Sequence, residues 1–247
     1  MNLLLSLSKL KRSPKMACIR QYTNLLYYNP SFVNIDTKDF DVIEVDGCRF
    51  YVTDQINSIQ RVKSNSWFEG VRSTDVVVDI GANIGAITIP LAKVAKRVYA
   101  VEPLFWEELE ANIKLNKLEN VTTLKRYVGR NGKETKVIKF ASKKAKALGI
   151  SFETLKETIG VQIDFLKMDG EGCEWSINPS ELEGIRELRI EFHIRRGEVR
   201  ECKRKYKEYL DWMKAKGYKV YAEHPRYGPD PYDKEDYNVR AILGGKE

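Results

Sequence analysis

Hydrophobic and polar positions along this chain change period near Asp75. Before that point, Val42-Ile43-Glu44-Val45 and Arg49-Phe50-Tyr51-Val52 flank Asp46-Gly47, the pattern of a β-hairpin closed by a two-residue turn. After it, short apolar runs alternate with stretches of helical period, as in a doubly wound parallel sheet. Strands are predicted at Val76–Ile80, Arg97–Glu102, Val121–Lys125, Lys136–Phe140, Ile163–Met168, Glu187–Phe192, Lys219–Ala222 and Val239–Leu243. The fourth of these is reached through the Asn131-Gly132 turn signal. Helices are predicted from Gly85 to Ala95 and from Leu104, where Phe105, Leu109, Asn112, Ile113 and Asn116 share one face. A longer helix carries the stripe Val199, Cys202, Tyr206, Tyr209, Leu210 and Met213. Lysine-rich Ser142–Lys146 reads as a basic loop, and Pro/Gly/Tyr-rich His224–Asn238 as a long loop without periodicity.

The pattern therefore predicts an α/β chain: a seven-stranded, mostly parallel, doubly wound sheet whose last two strands form a hairpin. Residues 1–65 read as an N-terminal extension bearing the first hairpin, and 66–247 as the main domain. Residues 1 to about 40 are a basic lead in which Met16 is an alternative start.

Composition narrows the setting. The chain has 247 residues, enough for a full core, and 31% of them are charged. Its net charge of +7 suits an anionic partner such as RNA or an acidic glycan, and equally suits a basic cytoplasmic enzyme. Cys18, Cys48, Cys173 and Cys202 are far apart and form no C-x-x-C, so they read as free thiols in a reducing compartment. The leucine run Leu3–Leu7 is too short for a secretory core, and no window approaches a membrane span. A cytoplasmic protein is expected.

The chemistry concentrates at strand ends. Val76–Ile80 leads into Gly81-Ala82-Asn83-Ile84-Gly85-Ala86. A dinucleotide fingerprint needs G-x-G-x-x-G, and Asn83 and Ala86 break it; a P-loop needs Gly-Lys-Ser/Thr, which does not follow Gly85. The remaining D-x-G-x-N-x-G is similar to the glycine loop of class I S-adenosylmethionine (SAM)-dependent methyltransferases. In that reading Gly81, Ala82, Asn83 and Gly85 cradle the cofactor through close backbone approach. Asp79 orients the loop or faces the methionine end, or it only braces the turn. Glu102, ending the second strand before Pro103, can accept from both ribose hydroxyls. Tyr127, Val128 and Gly129 are candidates for the adenine.

Three segments sharpen the resemblance: VDIGANIGAIT at Val78–Thr88, VYAVEP at Val98–Pro103 and LKMDGEGCEW at Leu166–Trp175. Together they resemble the FkbM-type methyltransferases, with supporting likeness at Ser151–Leu155 and Ile190–His193. Gly170 departs from that family, which usually has a β-branched or apolar residue there. The resemblance implies a SAM-dependent enzyme.

Asp169 with Glu171, and Glu191 with His193, are pairs spaced by two at adjacent strand ends. His193 or Asp169 is a candidate general base, and Asp169 also borders the cofactor. Glu171 as a helix cap and His193 as a satisfied strand-end residue are the structural alternatives. Asp169, Glu171 and His193 form an adequate ligand set, but without His-x-x-x-His or Asp-x-Asp no metal is predicted. Asp169-Gly170-Glu171-Gly172 also lacks the Pro-Pro-aromatic motif of amine-directed methyltransferases, which favours a hydroxyl acceptor on a small molecule or sugar. An RNA methyltransferase is the alternative, because Asn112–Val121 also resembles tRNA guanine methyltransferases and Lys143, Lys144, Lys146 and the 195–207 segment are basic. A SAM-binding protein without catalysis is the third reading.

Overall fold

The computed structural model describes residues 34–35, 42–51, 53, 55, 58, 59, 62, 67–129, 135–140, 143–194, 197–222 and 236–244. Most of the basic lead, the Asn131-Gly132 turn, Arg195, Arg196 and most of the predicted 224–238 loop lie outside them.

In chain order the strands are β1 (Asn34–Ile35), β2 (Val42–Val45), β3 (Cys48–Tyr51), β4 (Val76–Ile80), β5 (Arg97–Val101), β6 (Val121–Leu124), β7 (Arg126–Val128), β8 (Thr135–Phe140), β9 (Lys143–Ile150), β10 (Phe165–Met168), β11 (Glu187–His193), β12 (Tyr218–Ala222) and β13 (Asp236–Leu243). The α-helices are α1 (Thr88–Val94), α2 (Trp106–Leu115), α3 (Phe152–Ile159) and α4 (Val199–Ala215). One sheet has seven strands in the order β12-β13-β11-β10-β4-β5-β6. β11, β10, β4, β5 and β6 are mutually parallel, whereas β13 runs antiparallel to both β11 and β12. β4 and β10 are central and covered on both faces, which is why they read as apolar runs rather than alternating ones, broken only by Asp79 and Lys167. The order reverses between β4 and β10, so a crevice opens at their carboxyl ends.

The hairpin β2–β3 turns through Asp46 and Gly47, both at positive φ. Its inward residues Ile43, Val45, Cys48 and Phe50 share one buried cluster with Ile84, Ile89, Leu104 and Phe105. Two asparagines of α2 stitch its free edge. Asn112 Oδ1 accepts from Tyr51 N (2.8 Å), and Asn116 exchanges both of its amide bonds with the Arg49 backbone (2.9 and 2.6 Å). An open strand edge is thereby capped by side chains.

The segment read as a basic loop, Ser142–Lys146, is instead largely strand. β9 pairs antiparallel with β8 and parallel with β7, forming a three-stranded flap. The lysines hid it: Lys144, Ala145 and Lys146 are all exposed, so no apolar alternation marks the strand before Ala147. The long helix α4 buries Cys202, Tyr209 and Met213 as its stripe requires. Its charges pair along the helix, Arg204 with Glu201 and Glu208 and Lys207 with Asp211, as a solvated face does. No helix of the described residues is long and apolar enough to cross a membrane.

Candidate active site

The loop after β4 is shaped by sterics. A Cβ on Gly81, at φ +75°, would lie 1.9 Å from the carbonyl oxygen of Asp169; one on Gly85, at φ +94°, would lie 3.0 Å from Leu109 Cδ1. Their N–H groups are already bonded, Gly81 to Val101 O and Gly85 to Ala82 O, both at 2.9 Å. These glycines let the loop cross the end of β10 and turn into α1, rather than freeing donors for a ligand as the spacing had suggested. Asn83 is also left-handed, at φ +51°, and its Oδ1 accepts from Ile84 N at 2.7 Å, the local bond that lets Asn tolerate this region.

Glu102 joins three elements. Its Oε2 accepts from Asn83 N (2.7 Å), and its Oε1 accepts from Leu104 N (2.8 Å) and Phe105 N (3.1 Å) just ahead of α2. Burial pushes its carboxyl up, and the three backbone donors hold it the other way. A carboxylate has about four lone-pair sites, so acceptor capacity remains toward the cavity beside it.

Asp79 is fully buried and does not border that cavity. Its Oδ1 lies 2.9 Å from Lys167 Nζ, and its Oδ2 accepts from Thr88 Oγ1 at 2.6 Å. The same ammonium donates to the carbonyls of Ile80 (3.2 Å) and Gly81 (2.8 Å). Asp79 therefore braces the loop, and Lys167, which sequence reasoning missed, is the charge that reaches the cavity wall. The available signal was a lysine inside a buried parallel strand, tolerable only when paired.

The cavity has a volume of about 570 Å³, within the range of small-molecule sites. Gly81, Ala82, Asn83, Glu102 and Pro103 border it on one side, Tyr127 and Val128 on another, and Asp169 and Glu171 at its floor and rim; Gly85 does not reach it. Gln55, Phe105 and Phe140 also border it. None of these three was predicted: Gln55 and Phe140 come from segments distant in sequence, and Phe105 read only as part of the apolar face of its helix.

Behind the floor, the ends of β10 and β11 gather acids around one imidazole. Glu174 is fully buried. Its Oε2 accepts from Gly172 N (2.9 Å), and its Oε1 takes His193 N (2.8 Å) and stands 3.2 Å from His193 Nδ1. His193 Nε2 lies 3.5 Å from Asp169 Oδ1 and 3.9 Å from Glu171 Oε2. Burial alone would lower the His193 pKa, but the hydrogen bond and charge of Glu174, with Asp169 and Glu171, raise it to about 9. An imidazolium at neutral pH is no general base. Asp169 borders the cavity, whereas neither His193 nor Glu191 does. The Cys173 thiol is pushed well up by burial and fills the space a Cβ on Gly170 would need, 2.3 Å from its Sγ. This accounts for the glycine at that position.

Residues 42–159 match the TRM5/TYW2 methyltransferase domain, a little under half of the chain. A tRNA(Phe) (4-demethylwyosine(37)-C(7)) aminocarboxypropyltransferase of Methanocaldococcus jannaschii is 57% identical over 51 residues, 19% of this chain and 20% of that protein. A protein of Methanosphaera stadtmanae named as a ribosomal RNA small subunit methyltransferase A is 37% identical over 57 residues, 22% of this chain and 21% of its own. The chain thus matches about a fifth of the length of these relatives. A Streptococcus mutans protein assigned as a methyltransferase and solved with SAH superposes at a TM-score of 0.50, with 11% identity, over 74% of this chain and 97% of that one.

The matching family is not the FkbM type suggested by the three motifs. Two of those motifs, Val78–Thr88 and Val98–Pro103, lie inside the matched region and contribute residues to the cavity wall. The third, Leu166–Trp175, lies beyond it. Loop, acidic strand end and sheet order are common ground among class I enzymes, so they identify the class before the branch. The chain carries a class I SAM-dependent methyltransferase domain, with S-adenosylmethionine as its cofactor.

Proposed function

We propose that this protein modifies RNA, with tRNA as the first candidate, using SAM as group donor. The observation that carries the reading is the match of residues 42–159, which include the glycine loop and Glu102, to the TRM5/TYW2 methyltransferase domain. The names of the two curated relatives, which refer to tRNA and ribosomal RNA, support it. So does the net charge of +7, with Lys136, Lys139, Lys144 and Lys146 exposed on the flap whose strand β8 edges the cavity.

The residues present suit this cofactor. Glu102 keeps one acceptor site for a ribose hydroxyl, and the Gly81–Asn83 backbone walls the space beside it. SAM supplies an electrophilic carbon on a sulfonium. Around it the chain orients and excludes water, and Asp169 stands where an acceptor proton can be taken. His193 stands behind Asp169, anchored by Glu174.

The test is incubation of the purified protein with labelled SAM and separated pools of tRNA, ribosomal RNA, glycans and small molecules. Label is expected in RNA, and the mass of the product nucleoside tells methyl from aminocarboxypropyl, both of which hang on the same sulfonium. Label confined to RNA-free pools overturns the reading. That outcome belongs to the second reading, O-methylation of a small-molecule or sugar hydroxyl. It is favoured by Asp169-Gly170-Glu171-Gly172, which offers no proline or aromatic ring to stack a planar amine.

A further inference from the structure

We propose that Asp169, Glu191 and His193 form a divalent-cation site behind the floor of the cavity. One ligand atom from each lies within 4.8 Å of the other two, the spacing at which a single ion can be shared with small side-chain adjustments. The backbone sets this geometry. β10 and β11 are parallel and paired through Met168–Ile190, so Asp169 follows one strand just where Glu191 continues the other. His193 lies two residues further along β11 and presents the same face.

A second observation, independent of this spacing, comes from Glu174. It is fully buried, and one of its oxygens engages both the backbone N–H and the ring Nδ1 of His193. That leaves Nε2 as the nitrogen directed at Asp169, 3.5 Å away. A carboxylate that anchors the far nitrogen of an imidazole is the arrangement that orients metal-ligating histidines and raises their basicity. With His193 only 4% exposed, the ring has no room to turn.

One imidazole and two carboxylates suit a first-row ion such as Mn²⁺ or Zn²⁺ better than Ca²⁺ or Mg²⁺, which prefer all-oxygen shells. Nε2 binds metal only as the neutral ring, so its proton passes to solvent as the cation enters. Asp169 alone of the three borders the cavity, so the ion would stand just behind the space open to the acceptor. The site stands whether that acceptor is RNA or a small hydroxyl compound.

The test is titration of the chelator-treated full-length protein with Mn²⁺, followed by electron paramagnetic resonance. One saturable site per chain is expected, with a nitrogen coupling from the imidazole. His193→Gln removes the nitrogen coupling, and both Asp169→Asn and Glu191→Gln weaken binding by at least tenfold. Thermal melts followed by circular dichroism report that the same variants are folded. If a variant does not fold, the nitrogen coupling in the unaltered protein decides alone. Absence of saturable binding, a bound ion without nitrogen coupling, or Mn²⁺ affinity unchanged in folded Asp169→Asn overturns the site.

Discussion

Strand β11 carries a buried charge cluster at each end, and the two are built on opposite plans. At the amino end Glu187 is met by Arg189 (2.6 Å), Arg186 (3.1 Å) and Arg240 (3.1 Å). Arg186 reaches on to Asp75 (2.6 Å), and Arg189 to the Glu69 carbonyl (2.6 Å). Gly70 packs so closely that a Cβ there would lie 2.6 Å from Glu187 Oε2. At the carboxyl end the proportion is reversed, with Asp169, Glu171 and Glu174 disposed around the single imidazole of His193. The amino-end cluster ties β11, β13 and the segment before β4 together, and none of its members borders the cavity. The carboxyl-end cluster abuts the cavity, with Asp169 and Glu171 bordering it. Buried charge by itself does not mark a site. Which sign is in excess, and whether the cluster opens on a cavity, tells the two apart.

Substitutions should separate them. Asp169→Asn should lower the rate of group transfer by roughly 10²–10⁴-fold, the usual worth of a positioned acid–base group, with SAM still bound. Single-turnover label transfer measures this. Glu187→Ala should do the converse. Leaving three guanidinium groups without their common carboxylate should cost about 3–5 kcal/mol of stability in a urea melt, with SAM affinity unchanged. If Glu187→Ala instead weakened SAM binding, the two ends would not be independent. Glu102→Ala should weaken SAM binding by about 1–3 kcal/mol, read by calorimetry, because the ribose loses an acceptor and three N–H groups lose theirs. The smallest effect is expected from Asn116→Ala, about 1 kcal/mol of global stability, with faster hydrogen exchange at the Arg49 amide it holds.

Much of the fold was legible because β4 and β5 carry the apolar runs that a covered parallel sheet demands, and β11 repeats Leu188, Ile190 and Phe192 at every second position. β9 was not, since its pairing satisfies backbone groups while its lysines point outward and leave no periodic trace. On the site, Glu102 was readable from its place before Pro103, and it borders the cavity. Gly81 and Gly85 stood out as glycines, but their reason did not. The clash that requires Gly81 is with Asp169, 88 residues away.

Local sequence alone determined what depends on neighbouring residues: the strand and helix periods, the Asp46-Gly47 turn, the glycine loop and the acidic end of β5. Those features sufficed to specify the class of fold and the kind of cofactor. Tertiary structure decided the state of every buried charge. Lys167 finds Asp79 across two strands, Glu174 finds His193, and Glu187 finds three arginines, one of them 53 residues distant. A charge in an apolar run is costly or stabilised according to its partner. The chain brings that partner from far away, so the contacts that set the charge of His193 and place Asp169 beside it exist only once the sheet has formed.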